Sequence, residues 1–199
     1  MNRFLNSLNN GKKSLLTALL TTVLLGGCAT VLEATNDGPI QEDPGERSLG
    51  TYLDDEKIET VTTVNVNKAH PDLKASNINV NVFNGVVLLT GQVPNNELRL
   101  LAGRTAQQVK NVRQVYNEIQ VRGKVSLLAS SSDAWLTTKV RSNLLANKEI
   151  DSGRINVITE NGVVYLMGLL TRAEAERAAD ATRGIGGVQK VVKAVEYID

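Results

Sequence analysis

The stretch Ile78-Asn79-Val80-Asn81-Val82-Phe83-Asn84-Gly85-Val86-Val87-Leu88-Leu89-Thr90-Gly91 decides the fold, because it returns later in the chain. Its second copy is Ile155-Asn156-Val157-Ile158-Thr159-Glu160-Asn161-Gly162-Val163-Val164-Tyr165-Leu166-Met167-Gly168. Both read as a strand, an Asn-Gly turn and a second strand. Asn-Gly suits a type I′ turn, which needs positive φ at both central residues. Val80 and Val82 alternate with polar neighbours, as in a strand with one buried face. The second strand is more continuously apolar, which predicts a central strand covered wholly or partly on both faces.

Working outward, each hairpin is followed by a helical pattern. In the first copy Asn95 or Asn96 can cap a helix whose Leu98, Leu101, Ala102, Thr105 and Val109 fall near one face. In the second, Thr171 and Glu174 have capping-box spacing, and Ala175, Ala178, Ala179, Thr182 and Ile185 form a thinner face. Each copy closes on a β-prone run: Val112, Val115, Ile119 and Val121, then Val188, Val191, Val195 and Tyr197. Ahead of the second hairpin, Asp133 can cap a helix with Leu136, Val140 and Leu144 on one face. The first copy matches loosely through Asp55, Ile58 and Val66, although Thr60-Val61-Thr62-Thr63-Val64 is poor in helix formers. The unit is helix, strand, strand, helix, strand, present twice, and a repeat of this kind sets the domain count.

The amino terminus reads differently. Arg3, Lys12 and Lys13 precede the apolar segment Leu15–Leu25, which ends at Gly26-Gly27-Cys28. A charged start, a short apolar middle and small residues before a cleavage point describe a secretory leader. The order resembles a bacterial lipobox, which implies removal of residues 1–27 and lipidation of Cys28. Residues 29–50 hold five acids and one base, with little apolar content after Leu32. Residues 28–50 are expected to form the lipidated terminus and a flexible tether. Domains are expected at 51–123 and 132–199, with a joint at 124–131.

Composition excludes several classes of function. The chain has 22 Lys plus Arg and 21 Asp plus Glu; without residues 1–27 the balance is 19 to 21, a net of −2. No basic tail or stripe points to nucleic acid. The single cysteine is assigned to the lipid, so neither thiol catalysis nor a cysteine metal site is expected. The one histidine, His70, lies in a polar turn and has no second histidine to join. Asp54, Asp55 and Glu56 read as a solvated helix start. Gly184-Ile185-Gly186-Gly187 follows a helix, so it reads as a helix stop and not as a phosphate loop. No catalytic residues, metal site or cofactor are expected, although a site made only of carboxylates stays open.

Asn-Gly-x-Val-x-Leu-x-Gly in the hairpin, x-x-Val-x-x-Val near the end, and the order of elements resemble the BON domain. Two such units behind a lipobox resemble the dual-BON outer-membrane lipoproteins. The resemblance implies an α+β fold of two tandem αββαβ sandwiches, each a three-stranded mixed sheet packed on two helices. It also implies an anchored protein facing the periplasm, binding to anionic phospholipid, enrichment at division sites and support of envelope integrity. By analogy with enteric lipoproteins, Ala29 and Thr30 after the cysteine imply the outer membrane, because neither is the aspartate of inner-membrane retention.

Trp135, the only tryptophan, is expected in the first turn of the best-defined helix. If Leu136, Val140 and Leu144 face the core, helical spacing turns Trp135, Thr138, Lys139 and Ser142 elsewhere, with Arg141 and Leu145 at the border. Tryptophan beside cations suits a membrane interface. The same residues also suit packing between the domains. The resemblance, which implies a lipid-binding surface on this helix, favours lipid contact by Trp135, Thr138, Lys139, Arg141, Ser142 and Leu145. The alternative function is an adaptor on which the same face docks a peptidoglycan-remodelling, division or outer-membrane assembly protein.

Overall fold

A computed structural model describes residues 43–122 and 127–199, with side chains of 127–131 not described. Residues 1–42, and with them the expected leader, Cys28 and most of the tether, lie outside the described residues. The first domain runs α1 (Leu49–Ala69), α2 (Pro71–Ala75), β1 (Asn77–Phe83), β2 (Val86–Val93), α3 (Asn96–Gln107), β3 (Gln114–Asn117) and β4 (Gln120–Val121). The second repeats it as α4 (Leu127–Ala146), a 3₁₀ turn at Ser152–Arg154, β5 (Ile155–Glu160), β6 (Val163–Leu170), α5 (Arg172–Arg183), β7 (Lys190–Lys193) and β8 (Glu196–Tyr197).

Each sheet is three-stranded and mixed. β1 pairs antiparallel with β2, and β2 pairs in parallel with β3 and then β4, which are two parts of one interrupted third strand. β5, β6, β7 and β8 pair in the same way. The turns carry the positive φ that Asn-Gly implies, at Asn84 and Gly85 and again at Asn161 and Gly162. The capping box at Thr171 and Glu174 forms, and Asn95 caps α3 by accepting from the Leu98 amide.

α1 forms in spite of its β-branched run. Asp55, Ile58, Thr62 and Val66 are buried at helical spacing and pack onto the sheet, so tertiary burial outweighs propensity. Two expectations at helix starts are corrected. α4 begins at Leu127, so Asp133 is inside the helix and does not cap it, and Trp135 stands two turns in. The helix therefore reaches into the stretch expected as a joint. Asp55 is not solvated but buried, at 4% exposure. Residues 43–48, expected within the tether, rest against the fold: Asp43 pairs with Arg154, and Arg47 pairs with Asp55 at 2.8 Å.

Alternation along the central strands explains how the domains join. Val87, Leu89 and Val93 face the helices of the first domain, and Val164 and Leu166 face those of the second. The opposite faces meet each other: Phe83, Val86 and Leu88 pack with Tyr165, Met167, Leu169 and Ala194. The result is four layers, with the sheets back to back and helices outside. Both central strands are apolar on both faces for this reason. Polar contacts rim the interface. Glu160 accepts from Gln92 Nε2 at 2.7 Å and from Asn79 Nδ2 at 3.2 Å, and Glu196 accepts from Asn84 Nδ2 and Arg113 Nη1, each at 2.8 Å. Burial pushes the Tyr165 hydroxyl up to about 12, with Glu118 and Glu160 adding to the shift.

Candidate functional site

The outer surface of α4 collects the six residues predicted to meet lipid. Leu136, Val140 and Leu144 are buried at 3%, 0% and 1% exposure, which fixes the rotation of the helix. Trp135, Thr138, Lys139, Arg141, Ser142 and Leu145 are then all exposed. Trp135 keeps 61% of its surface in solvent and Leu145 keeps 76%. The alternative that Trp135 packs between the domains does not hold, because that interface is made by the sheets on the far side of β6.

Two cations are held in place on this surface. Lys139 Nζ lies 4.9 Å from the Trp135 ring centroid and donates to the Gly186 carbonyl at 3.0 Å. Arg141 Nη2 donates to the Val157 carbonyl at 2.9 Å. Both anchors are neutral carbonyls, and among the described residues neither cation forms a salt bridge. Their charge is therefore oriented without being cancelled. Thr138 Oγ1 donates to the Ala134 carbonyl one turn back, so its proton is directed into the helix.

Sequence reasoning missed the surroundings of Trp135. A cleft of about 310 Å³ beside it is lined by Leu136, Asn161, Gly162, Gly187, Gln189 and Arg122. Arg122 belongs to the end of the first domain, just before the chain enters α4. Asp133 borders the same cleft and accepts from the main-chain amides of Asn161 and Gly162 at 2.6 and 2.9 Å. The loop expected as a helix stop supplies Gly186 and Gly187, the latter at φ 107°.

Elsewhere the chemistry is sparse. His70 Nδ1 accepts from the Asp72 amide at 3.1 Å and caps α2, which gives the turn histidine a structural role. Among the described residues no group of three His, Cys, Asp or Glu could hold a metal ion, and no helix is long and apolar enough to cross a membrane.

A family model described as BON domain matches residues 54–123 and 132–199. The chain is 37% identical over 189 residues to the outer membrane lipoprotein DolP of Haemophilus influenzae, covering 94% of this chain and 97% of that protein. It is 40% identical over 152 residues to a protein named 21 kDa hemolysin from Actinobacillus pleuropneumoniae, covering 76% and 78%. It is 29% identical over 189 residues to the osmotically-inducible protein Y of Escherichia coli, covering 90% and 92%.

Proposed function

The chain belongs to the BON-domain family, as a dual-BON protein resembling the lipoprotein DolP, and from that premise we propose that it reads anionic phospholipid at the bacterial outer membrane. Cys28 carries the acyl anchor on the periplasmic side, and α4 of the second domain meets the headgroups. The protein acts by binding and not by catalysis, in support of envelope integrity and with enrichment at division sites. One observation carries the reading: an exposed tryptophan and leucine share a helix face with two cations that neutral carbonyls orient. A tryptophan ring favours the headgroup level. Each cation near an anionic surface contributes about 1 kcal/mol. The expected mature charge is slightly negative, so attraction must come from this local patch and not from the protein as a whole.

Flotation of residues 29–199 with phosphatidylglycerol vesicles tests the reading. Wild type should float with phosphatidylglycerol and not with phosphatidylcholine. Trp135→Glu and Lys139→Glu should stay at the bottom while keeping their circular dichroism. Binding that ignores both headgroup charge and Trp135 would overturn it and send the search to protein partners.

A further inference from the structure

The first helix of the amino-terminal domain carries a second apolar surface that the packing leaves uncovered. Leu49 is 86% exposed, Leu53 69% and Tyr52 56%, and Val61 and Val64 extend the stripe at 37% and 43%. Leu49, Leu53, Val61 and Val64 lie away from the buried side of α1, which is Asp55, Ile58, Thr62 and Val66, whereas Tyr52 turns toward a cleft shared with Gly153, Ile155 and Asn156, with Arg47 5.4 Å from its ring centroid. The surface is not a copy of the Trp135 face. Asp55 matches Asp133 in the repeat, so Lys57 stands where Trp135 does, and the apolar cluster lies before that point.

Position decides the occupant. The chain enters α1 through residues 43–48, which Arg154 and Arg47 hold against the body. Gly45 is so closely packed that a Cβ there would come within 2.7 Å of the Arg154 side chain. Upstream, the chain from Cys28 to Asp43 reaches at most about 50 Å when fully extended. α1 is therefore the first helix or strand of the described fold after an acylated Cys28.

Trp135 lies at the other corner. Each first helix passes beside its own hairpin turn, through Asp55 to Asn84 and through Asp133 to Asn161. The first turn meets Glu196, which pairs with Leu169 at the far end of β6, and the second turn is joined through Glu160 to Gln92, near the far end of β2. The two turns are thus a strand length apart, about 20 Å. Their helices cover opposite outer layers. A flat surface that touches Trp135 leaves Leu49 and Leu53 on the far side.

We infer that Leu49 and Leu53 form a second membrane contact, made to neutral phospholipid on the membrane that holds the anchor; this rests on the reading of Cys28 as acylated. Glu46, Asp54 and Glu56 are exposed beside the patch against one exposed cation, Lys57, a turn beyond Leu53; the excess of acids opposes an anionic surface, so neutral headgroups are its complement. The two surfaces then alternate. The tethered protein rests on Leu49 and Leu53 over neutral lipid, and turns onto Trp135 where anionic headgroups gather.

The test uses the acylated chain in vesicles. Cys28 is the only native cysteine, so Leu53→Cys or Leu145→Cys gives a single free thiol for a polarity-sensitive fluorophore. In phosphatidylcholine containing quencher-labelled lipid, the label at position 53 should be blue-shifted and quenched, and that at 145 should not. Adding phosphatidylglycerol should reverse the pattern. Adding Leu49→Ser should abolish quenching at position 53 in phosphatidylcholine without altering circular dichroism. A label at 53 that stays in water over phosphatidylcholine overturns the inference. So does a blue shift that grows with protein per vesicle but escapes lipid quencher, which would mean a second copy covers the patch. Mass spectrometry of Cys28 separates the failures: an unacylated chain overturns the anchor and this contact together, and an acylated chain with a wet label overturns the contact alone.

Discussion

Asp55 and Asp133 do the same work in the two repeats. Each carboxylate reaches from the first helix to the Asn-Gly turn and accepts both of its main-chain amides. The distances are 2.7 and 2.8 Å at Asn84 and Gly85, and 2.6 and 2.9 Å at Asn161 and Gly162. The helix and the hairpin are locked together by a charge-assisted pair of hydrogen bonds in each domain.

Replacing either aspartate should therefore loosen its domain. Asp55→Asn keeps the size but presents an NH₂ group to one turn amide, and breaks the pair with Arg47. A loss of about 2–3 kcal/mol is expected, since a buried amide is left without an acceptor. Urea denaturation measures it. A change below about 0.5 kcal/mol would mean that the hairpin holds its position without the carboxylate.

Glu59 should be a destabilising residue at neutral pH. Burial, with Glu56 and Asp55 near by, raises its pKa, while a hydrogen bond from the Val82 backbone acts the other way. A raised carboxyl pKa means that folding favours the protonated form, so the penalty is complete above the folded value. It disappears as pH falls below the unfolded value. Glu59→Gln should raise Tm at pH 7, and the gain should vanish in acid; an equal gain at both would assign the effect to packing.

The capping box has the opposite sign. The backbone and side-chain hydrogen bonds with Thr171 hold the Glu174 pKa below its ordinary value. Its stabilisation is present above the unfolded value and is lost as pH falls through the lowered one. Thr171→Ala should cost about 1 kcal/mol at neutral pH. Glu174→Gln should lower Tm at pH 7 and match wild type in strong acid, as followed by thermal scans.

Leu88 tests whether the two domains unfold as one. It is fully buried, yet it packs against Tyr165 and Met167 of the other domain. Leu88→Ala should cost about 2–5 kcal/mol. Because the sheets share this core, the fluorescence of Trp135 in the second domain should shift its midpoint by the same amount as far-UV circular dichroism. Separate transitions would show that the interface is too weak to couple them.

Gly91 cannot accept a side chain. Its φ is 112°, and a Cβ would lie 1.9 Å from the Asn77 carbonyl oxygen across the hairpin. Gly91→Ala should destabilise the first domain by more than about 3 kcal/mol or prevent folding. Expression with a protease-resistance assay reads this directly.

Much of the fold is legible because repetition and periodicity are local properties. Asn84-Gly85 and Asn161-Gly162 specify their turns, Thr171 and Glu174 specify a cap, and alternation separates the faces of each strand. The helical spacing of Leu136, Val140 and Leu144 was enough to turn Trp135, Thr138, Lys139 and Ser142 outward. Asp133 misled, because an aspartate before an apolar run looks like a cap whatever its carboxylate reaches. Its true partners lie nearly thirty residues away, and no local pattern records them.

Sequence alone determined the repeat, the αββαβ order of each unit and the exposed face of α4, since these follow from neighbour-to-neighbour geometry. Tertiary structure decided the rest. The second apolar faces of β2 and β6 said only that something covers them; that each covers the other is seen in the packing of Phe83 and Leu88 with Tyr165 and Met167. That docking set Leu49 and Trp135 at opposite corners. Such relationships are made by packing between distant segments, and the three-dimensional arrangement of the chain is their only record.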